Sequence, residues 1–422
     1  MDGSRKSVSA NEEPDISTNE NDIIAAAPGK IILFGEHAVV YKKKAVACAL
    51  DIHCYSKIVR NSRDPLHIQL KFRNLKFYKS FNLQQINESL KALNIRNFGF
   101  ECVNQKEQIT HPKELQLAIH KFTHDLEDQQ MNAKGTKAFL FILFCGILLA
   151  QDDGPLVPFV IDVHSDIPEC AGLGSSAAFC VSVTTAIFKH FNLLENVQNN
   201  CLNDGHLQTI KTIAHCAEEY IHDNSSGIDI VLSTYGGFIS YVKEHKPTPI
   251  NCKNILQLVV INSNVSRSTS KMVEIVRKKR ESSEMVIDSI FNCIQHITEQ
   301  AIPILESSLM SAEEEVQKLS ELCRINHDLL NALGVGHKKL EEIRSVVLEQ
   351  FQMHAKMSGA GGGGSSFILL PSPPSAIQIN FTKDILKQIG CTAHFFKATM
   401  SGVKLVNRHP PHIFKDQQLT AI

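Results

Sequence analysis

The sequence contains 422 residues, of which 43% are hydrophobic and 21% are charged, a composition typical of a globular protein with more than one domain. Its 43 Lys and Arg residues nearly balance 44 Asp and Glu residues, which leaves a formal net charge of −1. Because no global charge attracts nucleic acid or an anionic membrane, we predict neither as a partner.

Cysteine usage and the ends of the chain predict a cytoplasmic location. Of 12 cysteines, Cys48, Cys145 and Cys180 lie inside apolar segments, and no Cys-x-x-Cys pair occurs, which favours unpaired thiols in a reducing compartment. Residues 1–21 are polar and acidic, so we expect a disordered tail and no secretory signal. The most apolar run, 138–150, is too short to span a bilayer and predicts a helix buried against a sheet.

The first structured segment, from residue 23 to 50, is predicted to form two or three strands. Pro28-Gly29 predicts a turn immediately before Lys30, which would then stand at the opening of a strand. A lysine there commonly lays its stem over apolar neighbours and keeps its charge in water. Glu36 and His37 are more unusual, because they interrupt an apolar stretch, where polar groups need partners.

A glycine-rich turn at 172–176 follows a predicted strand at 160–164 and precedes a helix predicted from Ala177. This order is typical of phosphate binding, since the first N–H groups of a helix lack internal partners and its dipole is positive there. No Lys-Ser or Lys-Thr follows the second glycine, so the turn is not a Walker A loop. A glycine-serine turn that only caps a core helix remains the alternative.

Two carboxylates stand out in the next segment. A helix predicted over 207–222 places Glu218 and Glu219 in its last turn, where the dipole disfavours negative charge and a nearby cation is expected. Glu219 could instead simply face water. Asp229 follows a tight turn, and Ser226-x-x-Asp229 also matches a helix capping box, so a capping and a catalytic role both stay open.

The C-terminal half is predicted to begin near Pro247 and Pro249. We expect an N-terminal domain over 22–245, a C-terminal domain over 246–405 and a tail over 406–422, with an amphipathic helix at 312–333. The glycine run 359–364 formally matches G-x-G-x-x-G, but a helix is predicted before it and a strand after it, so we reject a Rossmann site. A run this rich in glycine usually exists because something approaches its backbone closely.

Two glycine-rich loops, an isolated lysine, a misplaced glutamate and an aspartate after a turn together fit phosphoryl transfer, where catalysis is mostly positioning and charge neutralisation. In such a site a carboxylate accepts the alcohol proton, a lysine stabilises developing charge, and a hydroxyl with a carboxylate holds Mg²⁺.

Three motifs occur in order along the chain: Ala27-Pro28-Gly29-Lys30 with Gly35-Glu36-His37, Gly172-Leu173-Gly174-Ser175-Ser176, and Ser358-Gly359-Ala360-Gly361-Gly362-Gly363-Gly364. Together they resemble the motifs of the mevalonate kinase family of the GHMP small-molecule kinase superfamily. The similarity extends from about residue 24 to about residue 405 and is weakest over 60–135. The strings Gly-Glu-His-Ala-Val-Val and Asn-Ala-Leu-Gly-Val-Gly-His distinguish this family from galactokinases and homoserine kinases.

The resemblance implies a two-domain α+β GHMP kinase fold with the active site in the cleft between the domains. It also implies ATP-dependent phosphorylation of the 5-hydroxyl of (R)-mevalonate to 5-phosphomevalonate, on the way to isoprenoids and sterols. Members of the family are commonly homodimers and are commonly inhibited by prenyl diphosphates at the nucleotide site, so we expect both properties here.

The same resemblance assigns roles to individual residues. Asp229 would be the base on the alcohol, Lys30 would polarise that alcohol, and Ser176 with Glu218 would coordinate Mg²⁺. The residues expected around the triphosphate are Gly172, Leu173, Gly174, Ser175 and Ser176, with Gly361 and Gly362 closing the site from the second domain. The residues expected on the mevalonate side are Lys30, Glu36, His37, Asp229 and Thr269.

The sequence departs from the family pattern at three positions, and three other functions are alternatives to this interpretation. Cys170 stands where glycine is usual, Ser225 where proline is common, and Ser365 where cysteine is common. A phosphomevalonate kinase would need additional basic residues near the acceptor, and a mevalonate diphosphate decarboxylase lacks a counterpart of Lys30. A catalytically silent binding protein is the alternative from another class, but Lys30 and the two carboxylates are all present.

Overall fold

A computed structural model describes residues 22–61, 63–93, 113–126, 128–150, 155–168, 171–195, 197, 200–222 and 227–407. The predicted N-terminal tail, most of the predicted C-terminal tail, and Cys170, Ser225 and Ser226 lie outside the described residues. The described chain forms two β-sheets with helices packed on them, which agrees with the α+β fold that the resemblance implies.

The first sheet has eight strands and is mixed. The strands are β1 (Ile23–Phe34), β2 (Ala45–Arg60), β3 (His67–Phe72), β4 (Phe77–Asn82), β5 (Phe159–Ser165), β6 (Phe238–Tyr241), β7 (Thr248–Ile250) and β12 (Lys404–Leu405). Their order is β12-β1-β2-β5-β3-β4, with β6 paired to β2 and β7 paired to β6. Only β3 and β5 run parallel, with Gln69 opposite Val160, among the described pairs.

The second sheet has four antiparallel strands in the order β11-β8-β10-β9. These strands are β8 (Gln257–Asn262), β9 (Lys356–Met357), β10 (Ser365–Leu370) and β11 (Thr392–Lys397). The described helices are α1 (Leu83–Ala92), α2 (Lys113–Lys121), α3 (Gln130–Ala150), α4 (Ser175–His190), α5 (Asp204–Glu219), α6 (Ile228–Tyr235), α7 (Thr269–Ser282), α8 (Glu284–Glu306), α9 (Ala312–Ala332), α10 (Lys338–Phe351) and α11 (Ala376–Gln388).

Strand β1 is continuous through Pro28-Gly29, so the predicted turn before Lys30 is wrong. Its pairing with β2 instead shifts register between Pro28 and Gly29. The extra residues, Asp51 and Ile52, lie on β2, so the irregularity is in β2 and β1 stays extended past Pro28 and Gly29. The amide of Lys30 then donates a 2.9 Å hydrogen bond to the carbonyl of Leu173, which lies outside the sheet.

Helix α3 is a core helix, as the sequence predicts, but it is longer than the apolar run 138–150. Among the described residues it is the one helix that is long and apolar enough to cross a membrane by length and composition. In this fold 61% of its apolar stretch is buried inside the protein, including Phe139, Phe141 and Phe144. Burial, and not length, therefore identifies it as part of the core.

The first sheet extends past the boundary expected at residue 246. Strand β7 contains Pro249 and pairs with β6, which is compatible with proline because β7 lies at the edge of the sheet. Strand β12 also returns to pair with β1 from the far end of the chain. The first sheet therefore draws its strands from both halves of the sequence.

The second sheet separates two hydrophobic cores. Alternate residues of a strand point to opposite faces, so Leu258 and Val260 of β8 join the core of the first sheet. Val259 and Ile261 join a second core, which includes Phe291 of α8. Strand β8 thus contributes to both cores, and β1 approaches the glycine run where Ser358 donates a 3.3 Å bond to the Ile32 carbonyl.

Candidate active site

The phosphate-loop candidate lies at the N-terminus of α4, where the backbone takes left-handed conformations. Gly172 and Gly174 have φ values of 75°, which only glycine adopts readily. Helix α4 begins at Ser175, two residues before the predicted start, with Gly174 as its N-cap and no side-chain capping bond. The serines therefore do not cap the helix, and its positive end and first amide groups face the loop.

The side chain of Lys30 crosses this loop closely. A Cβ atom placed on Gly174 would lie 2.8 Å from Lys30 Cγ, and one on Gly29 would lie 2.9 Å from the carbonyl oxygen of Leu173. Lys30 is only 6% exposed. The interpretation of Lys30 as a surface lysine is therefore wrong, because its stem is buried against Gly174 of the glycine turn.

Lys30 and Asp229 form an ion pair, with 3.1 Å between Nζ and Oδ2. Asp229 lies in the first turn of α6, whose N-cap is Gly227 with a φ of 74° and no side-chain capping bond. A capping box would require Ser226 as the N-cap, whereas the helix starts one residue later. The hydroxyl of Ser233, also in α6, donates a 2.7 Å bond to the Pro28 carbonyl and fixes α6 against β1.

The side chains of Ser176 and Glu218 meet at the N-terminus of α4. The hydroxyl of Ser176 donates to Glu218 Oε1 at 3.1 Å, and Glu218 is 2% exposed, whereas Glu219 is exposed. Among the described residues no group of three or more His, Cys, Asp or Glu side chains could hold a metal. One hydroxyl and one carboxylate fit Mg²⁺, which usually takes few protein ligands and completes its shell with phosphates and water.

Glu36 and His37, which were expected to face substrate, contact the second domain. Glu36 Oε1 accepts a bond from Lys356 Nζ, and His37 Nε2 lies 2.8 Å from the Ala360 carbonyl oxygen. His37 has a φ of 59°, an unfavourable backbone conformation that aims its ring at the glycine run. Burial lowers the pKa of His37, and because a carbonyl oxygen can only accept, Nε2 carries the proton that it donates to Ala360.

The glycine run lies between β9 and β10, so a strand and not a helix directly precedes it. Gly362 donates its amide to the Val335 carbonyl at 2.7 Å, and a Cβ on Gly361 would collide with that same carbonyl oxygen. The close approach that these two glycines allow is therefore to the protein's own backbone. Their predicted contact with the triphosphate remains a prediction.

Arg267 is a site residue that the sequence interpretation left without a role. Its Nη1 donates a 2.9 Å bond to the Ser358 carbonyl, and a Cβ on either Gly172 or Gly359 would crowd its guanidinium. Arg267 thus lies between the two glycine loops. The available signal was a lone cation in the polar loop between β8 and α7. Thr269, two residues later, begins α7 and is exposed, without a hydrogen bond to the other described site residues.

Fold and site together define a small-molecule kinase of the GHMP class. Residues 142–237 match the family described as GHMP kinases N terminal domain, and residues 310–380 match the one described as GHMP kinases C terminal. The first segment contains the α4 loop and Asp229, and the second contains the glycine run. The fold is similar to that of L. major mevalonate kinase in complex with R-mevalonate, with a TM-score of 0.63, 22% identity and coverage of 89% of this chain and 96% of that one.

Sequence similarity identifies the family more narrowly. The chain is 31% identical over 363 residues to the mevalonate kinase of Candida albicans, covering 82% of this chain and 81% of that protein. It is also 31% identical over 365 residues to the mevalonate kinase of Thermococcus gammatolerans, covering 85% of this chain and 92% of that protein. The chain belongs to the mevalonate kinase family, and the fold expected from the resemblance is confirmed.

Proposed function

We propose that the protein transfers the γ-phosphoryl group of ATP to the 5-hydroxyl of (R)-mevalonate and forms 5-phosphomevalonate. The observation that carries the proposal is the Lys30–Asp229 ion pair beside the N-terminus of α4. Phosphoryl transfer needs three groups close together: a carboxylate that accepts the alcohol proton, a buried cation and a helix N-terminus that binds phosphate. Family membership supports mevalonate as the acceptor.

Asp229 is the proposed base. Its side chain is 30% exposed while that of Lys30 is 7% exposed, so the carboxylate faces the cleft and the lysine lies behind it. The substrate oxygen forms a bond to the γ-phosphorus, the bond from that phosphorus to the bridging oxygen of ADP breaks, and the hydroxyl proton passes to Asp229. The Lys30 ammonium stabilises the negative charge that develops on the transferring group.

The first turn of α4 is the proposed phosphate cradle. The amides of Ser175 and Ser176, with the loop from Gly172 to Gly174, face the triphosphate, and the helix dipole favours its negative charge. Ser176 and Glu218 would hold Mg²⁺, which neutralises charge on the β- and γ-phosphates when it is bound.

The carboxylate of mevalonate requires a cation on the acceptor side. Arg267 is the proposed partner, because its guanidinium lies between the two glycine loops and suits the bidentate geometry of a carboxylate. Glu36 and His37 would shape the wall of this pocket through their contacts with the glycine run. Thr269 would contribute from the start of α7.

Release of ADP from purified protein with Mg-ATP tests the proposal, with mevalonate, phosphomevalonate, galactose and homoserine supplied in parallel. We expect turnover on mevalonate alone. Turnover on phosphomevalonate instead would favour the related kinase. Tight ATP binding without turnover on any acceptor would favour a silent binding protein.

A cytoplasmic homodimer that prenyl diphosphates inhibit is also part of the proposal. Cys48, Cys145 and Cys180 are buried and form no disulfide, which is compatible with a reducing compartment. Light scattering would measure the oligomeric state, and loss of inhibition at high ATP concentration would show that a prenyl diphosphate competes for the nucleotide site.

A further inference from the structure

Strand β9 is a short edge strand, and one of its amides bonds to a side chain from outside the sheet. Met357 lies opposite Ser366 of β10 and is completely buried. The next residue, Ser358, donates its amide to the Ser365 carbonyl of β10, so the Met357 amide points away from β10. It donates a 3.1 Å hydrogen bond to Nδ1 of His327 in α9. A buried edge amide thus has a histidine as its acceptor, where water or another strand would be usual.

The His327 ring is completely buried, and its hydrogen bonds define the role of each nitrogen. Because a backbone amide can only donate, Nδ1 accepts and the ring proton is on Nε2. Nε2 donates it to Glu341 Oε1 in α10 at 2.7 Å, and Asn331 donates to the same oxygen at 2.9 Å. Burial lowers the pKa of His327, which favours the neutral ring that this arrangement requires. The imidazole therefore joins β9 to both α9 and α10.

The anchored amide comes immediately before the contact with Arg267. The Ser358 carbonyl accepts a 2.9 Å bond from Arg267 Nη1, and Gly359, with a φ of 74°, begins the glycine run. A run of glycines has little conformational preference of its own, so contacts at its ends and middle must hold it. The α9–α10 connection holds the middle, where Gly362 donates to the Val335 carbonyl. The position of the Ser358 carbonyl therefore depends on how β9 is held just before it.

We propose that His327 is a positioning residue for the acceptor: by bonding the Met357 amide, it holds the Ser358 carbonyl where that carbonyl orients the Arg267 guanidinium. His327 does not touch the reacting atoms and acts through the backbone of β9. The effect on acceptor binding rests on the proposed function, in which Arg267 binds the mevalonate carboxylate. The effect on Arg267 itself does not.

A purely structural role is the alternative. Ser358 donates its amide to the Ser365 carbonyl at 2.9 Å and its hydroxyl to the Ile32 carbonyl at 3.3 Å. In the structural alternative these two bonds are enough to hold Ser358, and His327 only satisfies a buried amide. Loss of the His327 ring would then lower the melting temperature and leave Arg267 unchanged.

Three variants distinguish the two roles. His327→Leu removes both ring nitrogens, whereas His327→Asn keeps an oxygen acceptor near the position of Nδ1 and loses the bond to Glu341. Arg344→Met is the matched control in α10. Arg344 donates to Asp328 of α9 and lies 3.6 Å from Glu341, so its loss weakens the same pair of helices and leaves the bond to Met357 in place.

Steady-state kinetics on the full chain compares these variants per folded molecule. His327→Leu is expected to raise KM for mevalonate by about tenfold or more and to keep KM for ATP and kcat within about threefold. KM is expected to change because Arg267 binds a group remote from the reacting oxygen, equally in the ground and transition states. His327→Asn and Arg344→Met are expected to stay within about threefold of the wild type in all three constants.

Three kinetic results would overturn the proposal. The first is a wild-type KM for mevalonate in His327→Leu. The second is an equal rise in Arg344→Met, which would assign the effect to the helix pair. The third is an equal rise in His327→Asn, which would assign it to packing of the ring and not to its acceptor nitrogen.

A spectrum of the wild-type protein covers the case in which His327→Leu does not fold. In protein labelled with ¹⁵N at histidine, the His327 signals, assigned with His327→Asn, are expected to show a protonated Nε2 and a bare Nδ1 at pH 7. A protonated Nδ1 could not accept the Met357 amide, so it would overturn the inference.

A second measurement without substrate separates this inference from the proposed function. In protein labelled with ¹⁵N at arginine, the Nε–H signal of Arg267, assigned with Arg267→Lys, is expected to move in His327→Leu and to stay in Arg344→Met. An unmoved signal in His327→Leu overturns the inference even if mevalonate is phosphorylated. A moved signal in a protein without mevalonate turnover would support the inference and refute the function alone.

Discussion

The amide of Lys30 donates a 2.9 Å hydrogen bond to the carbonyl of Leu173, which joins β1 to the glycine turn before α4. The backbone that carries the proposed cation is therefore attached directly to the backbone that carries the proposed phosphate cradle. The side chain of Lys30 then passes Gly174 to reach Asp229, so the distance between cation and base depends on the loop.

Gly174→Ala is expected to damage catalysis more than stability. Its Cβ would lie 2.8 Å from Lys30 Cγ and displace the ammonium, and a misplacement of about 1 Å can cost about 10²-fold in kcat. Gly390→Ala is the matched control, because Gly390 has a similar φ of 69° with no atom within 4 Å of its added Cβ. Both variants are expected to lose about 1 kcal/mol of unfolding free energy. Equal kcat in the two variants would contradict the contact with Lys30.

Asp229→Asn is expected to lower kcat by about 10²- to 10⁴-fold, the usual contribution of a general base. Calorimetry with a non-hydrolysable ATP analogue is expected to give nearly unchanged affinity, since the proposed phosphate cradle is the first turn of α4. If the variant is less stable but each folded molecule keeps normal activity, Asp229 would instead have a structural role at the start of α6.

Glu218→Gln is expected to raise the Mg²⁺ concentration for half-maximal activity by about tenfold or more, because a charged oxygen ligand becomes neutral. Glu219→Gln is the control, since that neighbouring side chain is exposed at the same helix end. A magnesium titration of activity measures both variants. The same requirement in both would remove Glu218 from the proposed metal site.

His190 is expected to make the protein sensitive to acid. Burial lowers its pKa from 6.5 to about 4, and its ring lies 4.5 Å from that of Phe159. Above pH 6.5 the ring is neutral in both states; as the pH falls towards 4, the unfolded state takes up the proton first, so unfolding free energy is lost. Urea denaturation measures the unfolding free energy at pH 7 and at pH 5. Between these pH values His190→Phe is expected to lose about 1 to 2 kcal/mol less unfolding free energy than the wild-type protein. An identical loss in both proteins would exclude His190 as its source.

Local pattern predicted the helices and strands with clear apolar spacing, and it failed where distant contacts decide the backbone. The apolar spacing at 312–333 correctly predicts α9, which ends one residue earlier. Pro28-Gly29 predicts a turn by itself, but pairing with β2, which carries the extra residues at this point, keeps β1 extended. Pro249 likewise suggests a break, although it fits an edge strand.

The site was predictable only as far as its motifs extend. Family resemblance brings Lys30 and Asp229 together, and the structure places them 3.1 Å apart. Lys356 and Arg267 were given no role from the sequence. Lys356 contacts Glu36, 320 positions away, and Arg267 contacts Ser358, 91 positions away. Such contacts depend on how the two sheets meet, which spacing within one segment does not encode.

Strand β8 lies between two cores, with Leu258 and Val260 facing one and Val259 and Ile261 facing the other. Inserting or deleting one residue in β8 would exchange these faces, and neither core would tolerate it. Because β12 also completes the first sheet, neither half of the gene encodes a self-sufficient module. The enzyme is therefore expected to melt in a single cooperative transition, and recombination between relatives at the middle of the chain is expected to yield insoluble products.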